Sequence, residues 1–275
     1  MSLYSIYVLE YGYVPEYDKS GVIYGAHNEG YVKLPYCYAV IKGKDWAAMV
    51  DVGYNDKDYG AVMANNFKVE NWHPAATVLA ECGVTPEQVG HVFISHAHFD
   101  HMGSIAKFPD ARLHMQKREM LSWIEAMALP QQFGFLTAII DPDNLRSAFD
   151  ASVEHRLNLV DGDVDNLLPG LHVKLGEGHT LGQQFVVIDA PKGKLVISGD
   201  CIYARRNICG HNHDGVYVPL ANGIGSVWEQ LKTIDRINKE IEGDLSKLII
   251  LHDSERWKGL PIVKEIEGFR ILQAS

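Results

Sequence analysis

The residue pattern predicts an αββα sandwich, two mixed β-sheets packed face to face and flanked by helices. Three observations lead there. Apolar segments rich in Tyr and Val fill the first half of the chain and are followed by a helix pattern. A second set of short strand patterns, again followed by an amphipathic helix, fills the second half. No Pro/Ser-rich linker or charge run divides the two sets, so residues 1–275 read as a single domain.

The elements follow in order. Residues 4–10 and 34–42 alternate or run apolar with Tyr and Val and read as strands. Residues 46–52 give another strand, which leads into the Asp51-Val52-Gly53 turn. Residues 74–82 have helical apolar spacing and stop at Gly83, a C-cap signal. Thr85-Pro86-Glu87-Gln88 has the form of a capping box with Pro at the first helical position. Residues 91–95 and 111–115 are short apolar strands, and 117–128 is a helix. Segment 129–150 is less regular. Residues 156–175 supply short strands broken at Gly162 and at Pro169-Gly170. Strands 184–190 and 194–199 flank a hairpin turn at Pro191-Lys192-Gly193. Residues 227–241 repeat apolar positions every three to four residues, an amphipathic helix.

Composition narrows the function classes. A chain of 275 residues is long enough to bury roughly three quarters of its unfolded surface in one large domain. Its formal net charge of −10 disfavours phosphate-backbone binding, which needs a basic face. Cys37, Cys82, Cys201 and Cys209 show no CxxC spacing and fit reduced, mostly buried thiols. The first residues lack a basic region followed by an apolar core, so no signal peptide is visible, and no apolar run approaches the ~18–20 residues of a membrane span. The expectation is a cytoplasmic protein with no nucleic-acid or membrane partner, which disfavours a periplasmic antibiotic-degrading enzyme.

The chemistry is concentrated after the strand at 91–95. There stand His96, His98, Asp100 and His101, three imidazoles and one carboxylate within six positions. Imidazole nitrogen and carboxylate oxygen suit zinc, iron, cobalt and manganese. His96 and His98 are two apart, so in an extended segment they point the same way, and Asp100 and His101 can face a second ion. One ion would not need all four groups, whereas two ions sharing the loop would. The bland alternative is a polar loop with coincidental histidines. Further candidates stand at or just after other strand ends: His179 in a Gly-rich turn, Asp200 after residues 194–199, and His252 after residues 247–251. Open sheets place ligand sites at that edge, so these loops can converge.

With these residues assembled, the chain resembles the metallo-β-lactamase superfamily, over about three quarters of its length from Asp51 to His252. The His-x-His-x-Asp-His run, a distant His in Gly178-His179-Thr180, Gly199-Asp200 and a late His occur in order. Within the superfamily it looks most like the N-acyl homoserine lactonases. Phe99 fills the variable position of the first motif, and Tyr203 lies three residues after Asp200, a spacing that marks that branch. Gly178 stands where the family usually has Pro, and Gln183 or Gln184 replaces a frequent second His.

The resemblance implies two divalent ions, zinc first, with iron, manganese or cobalt compatible. His96, His98 and His179 would hold one, Asp100, His101 and His252 the other, and Asp200 would bridge both. It implies opening of a lactone ring by a metal-bridging hydroxide, in N-acyl homoserine lactones first, an activity that quenches quorum signalling. Tyr203 would donate to the carbonyl oxygen, a role worth ~3–4 kcal/mol when such donors are lost. Asp100 would carry the proton to the leaving alkoxide, and Phe99 would line the substrate pocket. The alternatives are a packing tyrosine for Tyr203 and a side chain tucked under the loop for Phe99.

Trp123, Met127, Phe133 and Phe135 either form an apolar groove for an acyl chain or are core, with helical spacing favouring core in the first half of that stretch. His211 and His213, beside Asp214, read as solvated loop residues on the pocket rim. His73, His91, His114, His155 and His172 read as structural, and Cys201 as pointing into the core. Competing functions are hydrolysis of another small lactone of the 4-pyridoxolactone type, of a thioester or of a β-lactam, and, outside catalysis, a metal-binding sensor or scaffold. A monomer and a homodimer both fit.

Overall fold

The computed structural model describes residues 4–253, 255, 262–266 and 269–274. The predicted sandwich is there. One sheet has eight strands in the order β12-β13-β1-β2-β3-β4-β5-β6, the other five in the order β11-β10-β9-β8-β7. The strands of the first sheet are β1 (Ser5–Asp18), β2 (Tyr31–Lys42), β3 (Ala47–Val50), β4 (Val89–Phe93), β5 (Arg112–Gln116), β6 (Leu157–Val160), β12 (Ile262–Ile266) and β13 (Phe269–Gln273). Those of the second are β7 (Val164–Leu168), β8 (Leu171–Leu175), β9 (Gln184–Ala190), β10 (Gly193–Ile197) and β11 (Leu248–Ile249). Both sheets are mixed: β3 to β6 run parallel while β1, β2 and β3 are antiparallel, and β10 pairs parallel with β11 but antiparallel with β9.

Period-two alternation sorts the side chains into layers. Ile6 and Val8 of β1, Ala48 and Val50 of β3, and Phe93 of β4 meet Val173, Val186, Ile188, Ile197 and Ile249 between the sheets. Their neighbours Leu9, Tyr11, Ala47 and Met49 turn to the other face, against α3 (Ala75–Ala80) and α5 (Lys117–Met127). The far side of the second sheet is covered by Ile234 and Ile237 of α8 (Val227–Glu240), whose N-cap Ser226 accepts from the Glu229 N–H.

Three elements depart from the sequence pattern. The Thr85–Gln88 box makes only a single 3₁₀ turn, because β4 begins at Val89; the Gln88 side chain accepts from the Thr85 N–H at 2.9 Å. Segment 129–150 contains a 3₁₀ stretch, Gln131–Thr137, and a helix, α6 (Pro142–Val153), started by Asp141, whose side chain accepts from the Asp143 N–H. Leu145, Ala148 and Ala151 bury one face of α6, but exposed Phe149 and Val153 blur its polar face in the sequence. Between β3 and α3, α2 (Asp58–Phe67) also went unread, its apolar stripe interrupted by Gly60, Asn65 and Asn66.

Candidate metal centre

The seven residues expected to bind metal come together at one end of the sandwich. His96 and His98 follow β4, and the short helix α4 (Phe99–Met102) turns Asp100 and His101 back toward them. His179 lies in the β8–β9 turn, Asp200 follows β10 and His252 follows β11. Ligand-type atoms of His96, His98, His179 and Asp200 all lie within 4.8 Å of one another, and those of Asp100, His101 and His252 form a second such group. Asp200 touches both. Its Oδ2 is 3.7 Å from His96 Nε2 and 3.4 Å from His179 Nε2, while its Oδ1 is 3.2 Å from the Nε2 of His101 and of His252.

Hydrogen bonds behind the rings fix where the protons are. His252 Nδ1 is 2.7 Å from the Pro35 carbonyl and His179 Nδ1 is 3.0 Å from the Asn222 carbonyl. A carbonyl only accepts, so each Nδ1 carries the hydrogen. His101 Nδ1 is 2.8 Å from Asp51 Oδ2. His96 Nδ1 faces Ser95 Oγ at 2.9 Å, and that hydroxyl donates in turn to Asp51 Oδ2 at 2.8 Å. In the neutral rings every Nε2 of these four is therefore a bare lone pair. Yet the Nε2 atoms of His101 and His252 stand 3.2 Å apart. Lone pairs aimed at one another at such a distance repel unless a proton or a metal cation lies between them. His96 Nε2 and Asp200 Oδ1 are also buried with no hydrogen-bond partner. The donor set and these orphaned atoms fit two divalent cations.

The electrostatics differ between the two groups. Burial, and then the neighbouring rings, hold His96 and His98 well below the usual imidazole pKa, in the neutral form a ligand needs. Burial pushes Asp200 up, but His101 and His252 outweigh it and keep the carboxyl well below its usual range. The same carboxylate, against the effect of burial, raises His101 and His252.

Two carboxylates of this region were not read from the sequence as functional. Asp51 appeared there only as part of a turn. It is fully buried in a left-handed backbone conformation (φ 63°), and its Oδ1 also accepts from the Ser95 N–H at 2.7 Å. One carboxylate thus orients a ring of each ligand group, the kind of outer partner that fixes tautomer and direction. The available signal was an Asp ending a buried apolar strand. Glu119 gave none, since in sequence it is one of many charged positions on a helix. It too is fully buried, and accepts from the N–H groups of Ala97 and Gly182.

Above the ligands opens a cavity of about 440 Å³. His98, Asp100, His179, Tyr203 and His252 line its floor, and Leu34, Phe67, Phe99, Phe135, Ile139 and Ile224 its walls. Tyr203 donates from Oη to Asp200 Oδ2 at 2.6 Å. Phe99 packs under the loop, stacked on Phe67 with ring centroids 6.0 Å apart, and also lines the cavity. The 123–135 aromatics divide. Trp123 is core, beneath His98; Phe135 stands at the mouth, 83% exposed; Met127 and Phe133 line a separate surface cavity. His211 lies outside, taking a hydrogen bond from Arg206, and His213 is exposed. His91 and His114 bond to each other at 2.9 Å, His172 meets Asp165, and Cys201 sits in the core beneath α8, as expected of structural residues.

Comparison with known proteins agrees with this geometry. A curated N-acyl homoserine lactonase from Bacillus cereus is 22% identical over 245 residues, 85% of this chain and 87% of that protein. A solved N-acyl homoserine lactone hydrolase with N-hexanoyl-L-homoserine bound at its catalytic metal centre superposes with a TM-score of 0.71 at 19% identity, covering 96% of this chain and 99% of the other. AidC, a dizinc quorum-quenching lactonase, superposes with a TM-score of 0.66 at 18% identity, covering 97% and 93%. At these identities the structural likeness speaks for the fold. The metallo-beta-lactamase superfamily profile matches residues 31–242, and with the fold and the clustered ligands already described the chain belongs to that superfamily.

Proposed function

We propose that the protein is a dinuclear metal-dependent hydrolase that opens a lactone ring, with N-acyl homoserine lactones as the first substrate class. In this reading His96, His98 and His179 hold one divalent cation, Asp100, His101 and His252 hold the other, and Asp200 spans both. Zinc is the first candidate, and iron, manganese and cobalt share the donor preference. Two such cations supply Lewis acidity and a lowered pKa of water.

The observation that carries the lactone reading is Tyr203. Its hydroxyl lies where the ligand groups meet the cavity, and its ring stacks on His252 with centroids 5.1 Å apart. Burial, and then the charge of Asp200, raise its pKa well above that of a free phenol, so it stays a donor. A carbonyl oxygen arriving beside Asp200 can take over that hydrogen bond. Asp100 lines the same cavity, its side chain 12% exposed, with Oδ2 3.5 Å from His101 Nε2. Burial raises its pKa against the pull of His101 and His252, and its place on the cavity floor would let it carry a proton to the leaving alkoxide. The apolar walls exclude water and suit an acyl chain. The lactonase names of the relatives support the same class. The substrate is a small molecule; a net charge of −10 offers nothing to nucleic acid, and among the described residues no helix is long and apolar enough to cross a membrane.

The test is to incubate metal-loaded protein with N-acyl homoserine lactones, a pyridoxolactone-type ring, a thioester and a β-lactam, and to follow acid release. Hydrolysis of the homoserine lactones is expected. Turnover of the thioester or β-lactam alone overturns the lactone reading. Metal analysis of His96→Ala and Asp200→Ala checks the ligands: two tightly held equivalents in both variants would refute the assignment.

A further inference from the structure

We infer that Glu119 is a positioning residue for the His96, His98 and His179 group, binding its two loops into one unit and placing a buried anion behind it; the inference rests on the two-cation reading above. Glu119 Oε1 accepts from the Ala97 N–H at 2.9 Å and the Trp123 Nε1–H at 2.7 Å. Its Oε2 accepts from the Thr180 hydroxyl at 2.7 Å and the Gly182 N–H at 3.0 Å. Ala97 stands between His96 and His98, and Thr180 and Gly182 follow His179. One carboxylate therefore ties together the two loops that supply all three imidazoles of that group. Trp123, its fourth partner, also lies against His98, with ring centroids 6.0 Å apart.

The approach is close enough to exclude a side chain at residue 182. A Cβ on Gly182 would stand 2.1 Å from the Glu119 backbone nitrogen. The Ala97 and Gly182 N–H groups and the Trp123 Nε1–H can only donate and so favour a carboxylate, while the Thr180 hydroxyl can also accept. Burial raises the Glu119 pKa above the usual carboxyl value, with all four bonds pulling against it. All four partners are neutral, so nothing among them cancels the charge. A buried anion of this kind is costly without a nearby cation, and a cation held by three neutral imidazoles just beyond Ala97 and Thr180 supplies one. Behind the other group stand the Pro35 carbonyl at His252 and Asp51 at His101, and Asp51 also reaches His96 through Ser95.

The test is a cobalt(II) titration followed by its visible spectrum. Wild-type protein is expected to bind two equivalents. Glu119→Gln puts an NH₂ against one pair of donors. It is expected to weaken one binding step 10–100-fold, the usual cost of losing an outer partner, while the other step stays within about threefold. On a His252→Ala background, which leaves the three-imidazole group intact, the remaining equivalent is expected to weaken by the same factor. Asp51→Asn, which reaches both groups, is expected to weaken both steps. A purely structural Glu119 would lower the melting temperature without separating the steps. Equal loss in both steps for Glu119→Gln, no loss, or an unweakened equivalent on the His252→Ala background overturns the inference and leaves the two-cation reading standing. Wild-type protein that binds no cobalt overturns that reading and this inference with it. Should Glu119→Gln fail to fold, Thr180→Val removes a single donor with little change of shape. It is expected to give the same selective loss at roughly threefold to tenfold, and an even loss overturns the inference.

Discussion

At the floor of the cavity the histidines that face Asp200 are almost wholly buried, and four of them have the outward ring nitrogen held by an oxygen. At the wall, Phe135 is 83% exposed, in a 3₁₀ segment whose far end is fixed where the Phe99 N–H donates to the Ile139 carbonyl and the Tyr59 hydroxyl to the Ala138 carbonyl. The two regions are built for different tasks. Orienting several lone pairs on a common centre demands rigidity, and rigidity here comes from burial plus a directed bond behind each ring. Accepting an apolar group demands only exposed aromatic surface, which can change without disturbing the floor.

That contrast can be broken or sharpened in graded ways. The largest effect is expected from Tyr203→Phe, which deletes the donor to Asp200: kcat should fall ~10²–10³-fold, the loss typical of such donors, with two metal equivalents retained. Steady-state kinetics with metal analysis checks this, and unchanged kcat would make Tyr203 a packing residue. Asp51→Asn should weaken both metals ~10–100-fold, because it orients one ring in each group; competition with a chromophoric chelator measures it.

Acid should attack the floor before the wall. Burial, and then His91 and Arg112, push His114 down to about 3 from 6.5, while the backbone carbonyl of His114 supports Ile94 and the Gln184 side chain. Its folded pKa is depressed, so between pH 6.5 and about 3 the unfolded chain binds more protons and stability falls as pH falls. From pH 7 to pH 4.5 this one group should cost ~2–3 kcal/mol, and His114→Gln should lack that share of the slope. Urea denaturation of both proteins at the two pH values decides the point. The smallest effect is expected at the wall: Phe135→Ala should raise KM about fivefold for a long acyl chain, the equivalent of ~1 kcal/mol of apolar contact. It should leave kcat and metal content unchanged; a fall in kcat would show that the two regions are coupled.

The sequence disclosed the floor better than the wall, for a physical reason. Each residue facing the centre is an uncommon, chemically specific type at a strand end or in a turn, so His96, His98, His179, Asp200 and His252 stand out against their apolar neighbours. Partners that act through geometry carry no such mark. Glu119 looks like any helical glutamate until two distant loops fold onto it, and Asp51 like a turn aspartate until His101 arrives. Segment 129–150 looks irregular in sequence because α6 exposes Phe149 and Val153, so its apolar positions do not form one stripe. The long β1 was cut short at residue 10 because the strand continues through irregular register between Glu10 and Tyr17, which disrupts simple alternation.

The order of the ligands along the chain carries a consequence of its own. In the direction of synthesis, the group of His96, His98, His179 and Asp200 is complete once residue 200 has been made, whereas the group of Asp100 and His101 waits for His252. At the ~5–20 residues per second of translation, seconds separate the two events. His252 must then dock against Pro35, and β13 must close against β1, contacts that span most of the polypeptide and are slow to form. The two clusters are therefore born at different times, and a nascent chain passes through a stage at which one cluster's residues exist as a set and the other's do not.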